Sequence, residues 1–314
     1  MGFYLIAGAA GYVGSRLAER LLAEGNRVRG LVHSAEDPVV ERLAAQGMAV
    51  WIGDLTRPET ITGITEGIEV VYNLSGGNIL AGDNLRRTLL DGNQNLIAAC
   101  SRSRRVRAYL FASSPATYGD GGEALLDEDT PTTPGYPLGE ILCEAEQVVM
   151  RAVRDHRFPG IVMRIATIYG PDHDLIDAIA NGAYVLYGQG RNFVSHIHVD
   201  DLIEALRLLP ELGMPGGIYN LCDDDPIRQY NLVAEVRRRL GMLSPRRFDP
   251  AVALQSGIDP SVIGMACAST RLSNARLKHD LPFFLRYPSY RLWLDERLPA
   301  AFAEPADLEL AIGD

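Results

Sequence analysis

The chain has 314 residues, 47% of them hydrophobic, enough to bury one large core or two lobes. Its formal charge of −10 and the lack of any sustained basic stretch argue against a nucleic-acid or anionic-membrane partner. Four cysteines, at positions 100, 143, 222 and 267, show no paired spacing, so no disulfide framework and no metal site is expected.

Strand-length apolar runs alternate with amphipathic stretches through the first half, which predicts an α/β fold with a doubly wound parallel sheet and helices on both faces. Residues 3–7 form the first strand and run straight into a glycine turn, without the basic flank of a signal peptide; a cytoplasmic location is the expectation. A helix over 14–24, a strand over 27–32, a helix over 39–46 and strands over 49–52 and 70–74 follow. Next come a helix over 91–101, a strand over 109–113, a long helix over 138–154 and a strand over 160–166. Beyond residue 171 the pattern loosens, with strands expected over 193–199 and 217–221 and helices over 201–209 and 231–240. The division predicted is a dinucleotide-binding domain over 1–170 and a smaller mixed lobe over 171–314, mainly for substrate, with about 193–222 returning to the first domain.

Gly8, Gly11 and Gly14 stand between the first strand and the first helix. There glycines allow a tight turn and let a pyrophosphate approach the positive helix end, beside the backbone of Tyr12 and Val13. At the end of the second strand, where a carboxylate would accept the ribose hydroxyls of NAD, the chain has His33 and Ser34 instead. These two, with Arg16, suit a 2′-phosphate, so NADP(H) is favoured over NAD(H).

The spacing of that turn resembles the extended short-chain dehydrogenases/reductases of the NAD-dependent epimerase/dehydratase-like family, with Ala7 where Thr is usual. The resemblance extends over most of residues 3–290 and implies a Rossmann-type fold. It also implies further cofactor contacts: Asp54 and Leu55 at the adenine, and Ser75, Gly76 and Gly77 beside the ribose and pyrophosphate. On capping preference alone, Asp54 is equally a helix cap before Pro58-Glu59.

In the segment 111–119 the resemblance assigns Ser114 to the substrate oxygen, with Ser113 either beside it or packed inward. Tyr136 matches the family's acid/base tyrosine, and Glu144 matches a glutamate usual later in that helix. Two departures fall beside the chemistry: Gly139 stands for Ser, and Glu140 stands for the catalytic lysine. Lys278 is the one lysine in the chain, far downstream. An ionised Glu140 at ~6 Å in an effective dielectric of ~20 would raise the tyrosine pKa by about two units, where a lysine would lower it. A protonated tyrosine still donates to a carbonyl oxygen that receives hydride, but it is a poor base for alcohol oxidation. Glu140 has three open roles: acceptor for the ribose hydroxyls, acid/base in its own right, or inert.

His173, Tyr187, Arg191 and His196 are candidate substrate contacts, with Tyr184, Gln189 and Arg271 nearby in the sequence. A diphosphate-binding arginine at 191 or 271 would suit a sugar nucleotide, whereas the tyrosines and aliphatic residues equally suit a flat secondary metabolite. The expected activity is reduction of a small-molecule carbonyl by NADP(H). The alternatives are a redox-neutral epimerase, dehydratase or cyclase with retained cofactor, and a non-catalytic dinucleotide sensor. The resemblance also makes a homodimer through the helices at 91–101 and 138–154 an expectation.

Overall fold

A computed structural model describes residues 2–76, 83–103, 105–282 and 284–299. Gly77 and the tail beyond residue 299 lie outside them.

Seven parallel strands form the central sheet. The first six are β1 (Phe3–Ala7), β2 (Arg27–Val32), β3 (Ala49–Ile52), β4 (Val70–Asn73), β5 (Ala108–Ser113) and β6 (Gly160–Ile165). Short strands follow at β7 (Thr167–Tyr169), β8 (Leu186–Tyr187), β9 (Phe193–Val194) and β10 (His196–His198), before β11 (Ile218–Leu221) rejoins the sheet. The spatial order is β11-β6-β5-β4-β1-β2-β3, so the winding reverses between β1 and β4, where open α/β sheets bind ligands.

Alternate residues of β1 serve opposite faces, as strand geometry requires. Ile6 packs with Leu17, Tyr72 and Leu206 on one side, whereas Leu5 packs with Val71, Tyr109 and Val149 on the other. The first face is covered by α1 (Tyr12–Ala23), α2 (Pro38–Ala45) and, from further along the chain, the helix Val199–Leu212; the second by the helices around residues 93–102 and 137–156. A third core of Tyr169, Ile176, Leu232, Val236, Tyr290 and Trp293 holds the C-terminal lobe.

The helix expected over 91–101 begins earlier: α3 (Asp83–Arg87) runs through a π-turn at Thr88–Gly92 into α4 (Asn93–Arg102). α5 (Pro137–His156) is the long helix and ends on Arg157, in the left-handed region at φ 53°. The strand expected over 193–199 is instead two short strands. Ser195 separates them because its hydroxyl donates to the Thr270 carbonyl at 2.8 Å and accepts from the Leu272 N–H at 3.0 Å. β10 then pairs with β7, outside the main sheet.

Of the helices that follow, α7 (Val199–Leu212) and α8 (Gln229–Arg239) match expected ones. Five were not legible: α6 (Leu175–Ala180), α9 (Pro250–Gln255), α10 (Pro260–Cys267), α11 (Ala275–Asp280) and α12 (Tyr290–Arg297). The four cysteines are free, and no described helix is long and apolar enough to cross a membrane.

Candidate active site

The turn after β1 is built for close approach. Gly8 has φ +87°, and a Cβ there would lie 2.8 Å from the Leu74 carbonyl oxygen; one on Gly14 would lie 2.1 Å from the Gly8 carbonyl oxygen. Gly11 caps α1 without a side-chain hydrogen bond, and no acidic residue occupies the first turn. The first N–H groups of α1 are therefore left for an anion, and the cradle fits a dinucleotide pyrophosphate. Tyr12 does more than lend its backbone: its hydroxyl donates to the Pro171 carbonyl at 2.8 Å, and its ring packs against His173 at 4.9 Å. Arg16 stacks on that ring and pairs with Asp172 at 3.3 Å, so it is not aimed at a 2′-phosphate.

His33 and Ser34 are exposed at the end of β2, where the Ser34 hydroxyl accepts from the Glu36 N–H at 3.1 Å. Asp54 accepts from the N–H and hydroxyl of Thr56 through one oxygen, both at 2.8 Å. Burial raises its pKa, but those hydrogen bonds and the nearby His33 outweigh it and hold the carboxyl below its usual range. The Leu55 side chain is buried. Ser75 donates to Asn73 at 2.5 Å, and Gly76 lies at φ +99°, where a Cβ would meet Leu89 at 2.7 Å.

Ser114 caps the 3-10 turn Pro115–Tyr118, accepting from the Ala116 N–H at 3.3 Å. Tyr136 is the extended N-cap residue of α5, and its buried ring lies against Gly264 of α10, where a Cβ would come within 2.3 Å of it. Burial alone pushes the Tyr136 hydroxyl up to about 12. Both residues line one cavity of about 1010 Å³, together with His173, Tyr187 and His196. Gly139 is seated under the same turn: a Cβ there would lie 2.4 Å from the Ala116 carbonyl oxygen, so α5 approaches more closely than any other residue would allow.

Three of the expected site residues lie off the cavity wall. Ser113 does not face substrate: β5 turns it inward, where its hydroxyl donates to Glu146 at 2.6 Å. Arg191 is exposed and off the cavity wall, and only its carbonyl is engaged, by Arg228. Glu140 is also exposed and off the wall, one turn beyond Tyr136 and without an ion pair among the described residues. Glu144 pairs with Arg86 at 2.7 Å on the surface.

Sequence reasoning missed the Glu146–Arg164 pair, bidentate at 2.7 and 3.0 Å and buried behind Ser113. It also missed Asp174, which caps α6 and accepts from Tyr290 and Trp293 across the lobe. On the cavity wall, the hydroxyl of Tyr169, Nδ1 of His196 and Oε1 of Gln229 have no hydrogen-bond partner among the described residues. Burial lowers His196 to about 4, so its ring is neutral. Among the described residues no group of three or more His, Cys, Asp or Glu is placed to hold a metal ion.

Comparison with known proteins matches residues 4–222 to the family model "NAD dependent epimerase/dehydratase family". A 4-hydroxy-2-methyl-3-oxo-4-farnesyl-3,4-dihydroquinoline-1-oxide ketoreductase of Stigmatella aurantiaca is 30% identical over 71% of this chain and 68% of its own. A 3-diazoavenalumate denitrifying reductase of a Streptomyces species is 27% identical over 91% of this chain and 97% of its own. Among solved structures, a dTDP-glucose 4,6-dehydratase of Streptomyces venezuelae with NAD and TYD bound superposes with a TM-score of 0.79. It is 19% identical and covers 94% of this chain and 95% of that one, a likeness of fold. The sheet order, the glycine cradle and the family match agree, and the chain belongs to the NAD dependent epimerase/dehydratase family.

Proposed function

We propose that the protein is an NADP(H)-dependent reductase of a carbonyl group on a small molecule, with Ser114 and Tyr136 holding the oxygen. The observation that carries this reading is the joint position of Ser114 and Tyr136 on one large cavity, with no lysine nearby to draw the tyrosine proton away. A tyrosine raised to about 12 keeps that proton at neutral pH, which suits it to donate to an oxygen gaining charge rather than to deprotonate an alcohol. A reduced nicotinamide, when bound, supplies the hydride. Gly8, Gly11 and Gly14 with the start of α1 would hold its pyrophosphate, and the second oxygen of Asp54 is free for the adenine amino group. NADP(H) is preferred in this reading because β2 ends in His33 and Ser34 without a carboxylate. In this reading Glu140, exposed one turn beyond Tyr136, would accept from the ribose hydroxyls. The two reductase names among the relatives support the same direction.

The test is NADPH consumption against a ketone panel, with Ser114→Ala and Tyr136→Phe alongside. Tyr136→Phe is expected to lower turnover by about 10²-fold or more. Turnover undiminished in both variants would remove the reading, and substrate conversion without change in nicotinamide absorbance would replace it with a redox-neutral reaction.

A further inference from the structure

A carbonyl compound entering the cavity meets a wall with a definite electrostatic character. Among the described residues, no lysine or arginine lines it. Outside the described residues the sequence holds one basic residue, Arg104. Of the arginines in the surrounding segments, three are engaged elsewhere, and Arg191 is exposed off the wall. Arg16 pairs with Asp172, Arg228 is bidentate to Glu123 at 2.8 and 3.0 Å, and Arg271 lies over Phe193 while donating to the Glu123 carbonyl.

The charged residues that do reach the wall are Asp172, Asp174 and Asp177. All three have partners: Arg16 for Asp172, Tyr290 and Trp293 for Asp174, and Arg297 at 3.5 Å for Asp177. A diphosphate would find no basic side chain on the described wall and would meet three carboxylates there, Asp172 and Asp177 already holding arginines. A cationic ligand would have to break existing pairs.

Much of the rest of the wall is aromatic and aliphatic, with Tyr169, Tyr184, Tyr187 and Tyr290 beside Leu232 and Val233, interrupted by the small polar residues Thr167, Ser195 and Thr270. Such surfaces favour a flat ring system. Among the described residues Gln229 Oε1, the Tyr169 hydroxyl and Nδ1 of the neutral His196 are the buried polar atoms on it without a partner. A buried acceptor without a donor is costly, and a ligand hydroxyl or N–H removes that cost.

We propose that the substrate is an uncharged, flat carbonyl compound with a hydroxyl or N–H donor facing Gln229, and not a nucleotide-diphosphate sugar; this rests on the reductase reading of the same cavity. The test measures binding by calorimetry to protein saturated with NADP+, which fills the cofactor groove and prevents turnover. The probes are 9-fluorenone, 2-hydroxyfluorenone, other bicyclic and tricyclic ketones, and UDP-glucose. The ketones are expected to bind and to weaken at least ~10-fold in Val233→Trp, which fills the cavity. The hydroxyl is expected to add roughly tenfold in affinity, a gain absent in Gln229→Leu. UDP-glucose is expected to show no saturable binding.

Failure of every neutral ketone to bind would overturn the inference. So would UDP-glucose binding that Val233→Trp abolishes, or a hydroxyl gain that survives Gln229→Leu. The two readings separate cleanly: ketones that bind without NADPH consumption sink the reductase reading alone, whereas NADPH-dependent reduction of a UDP-4-keto sugar sinks this inference alone.

Discussion

Tyr136 and Glu140 sit one helical turn apart and differ in exposure, the tyrosine buried and the carboxylate in solvent. Burial holds the tyrosine proton to about 12, so the reduction rate should show no loss from tyrosine ionisation between pH 6 and 10. In Glu140→Lys the new cation should bring that loss down by about one to two pH units, with solvent screening limiting the effect. A pH–rate profile with the same alkaline limb in both proteins would show that position 140 does not communicate with Tyr136. Glu146 and Arg164 are 7% and 3% exposed, and removing the carboxylate would strand a guanidinium in the core. Glu146→Ala should cost about 3–5 kcal/mol by urea denaturation, well beyond a typical surface change. Ser114 and Tyr136 were legible because they belong to short local patterns. Ser113 was not fully legible, because β5 is buried on both faces and alternation there carries no signal.

α10 rests directly on the tyrosine, with Gly264 as the contact. Gly264→Ala places a methyl carbon inside the van der Waals envelope of the ring, so helix or ring must shift. Displacements of this order cost about 10²-fold in rate, and kcat should fall while circular dichroism and cofactor affinity stay unchanged. Unaltered kcat would mean that α10 moves as a flexible cover and takes no part in positioning Tyr136. This helix was invisible in the sequence, as were α6, α9, α11 and α12, because each has at most eight residues and completes barely two turns. The long elements of the sheet half, by contrast, were readable within a few residues, since their apolar spacing repeats often enough to define a face. The shift in the start of the 91–101 helix follows from its π-turn, which breaks the 3.6-residue rhythm.

Across the whole molecule, the pH dependence of stability should reflect three buried groups, His196 on the cavity wall with His198 and Asp223. His196 and His198 go from 6.5 to about 4 on folding because burial disfavours the cation; His198 also accepts the Asp200 N–H through Nδ1. The unfolded chain takes up protons that the folded one refuses, and stability is lost as pH falls from 6.5 towards 4. Asp223 goes the other way, from 3.8 to about 9, also through burial, so its contribution drains as pH rises through that window. Of these three groups, two imidazoles outweigh one carboxyl on the acid side, and only the carboxyl contributes above pH 7. The unfolding free energy should therefore peak at about pH 6–7 and decline by on the order of 1 kcal/mol per pH unit towards pH 9. A monotonic rise to pH 9 in urea titrations would contradict the placement of Asp223. The seat of Gly139 against the Ala116 carbonyl bears on how the molecule could change over generations. Glu140→Lys is sterically free at an exposed site, whereas Gly139→Ser must first push α5 off the turn that carries Ser114. The two neighbouring positions are thus unequal in tolerance: position 140 is open to a change of charge, while position 139 is closed to any side chain by the turn beneath it.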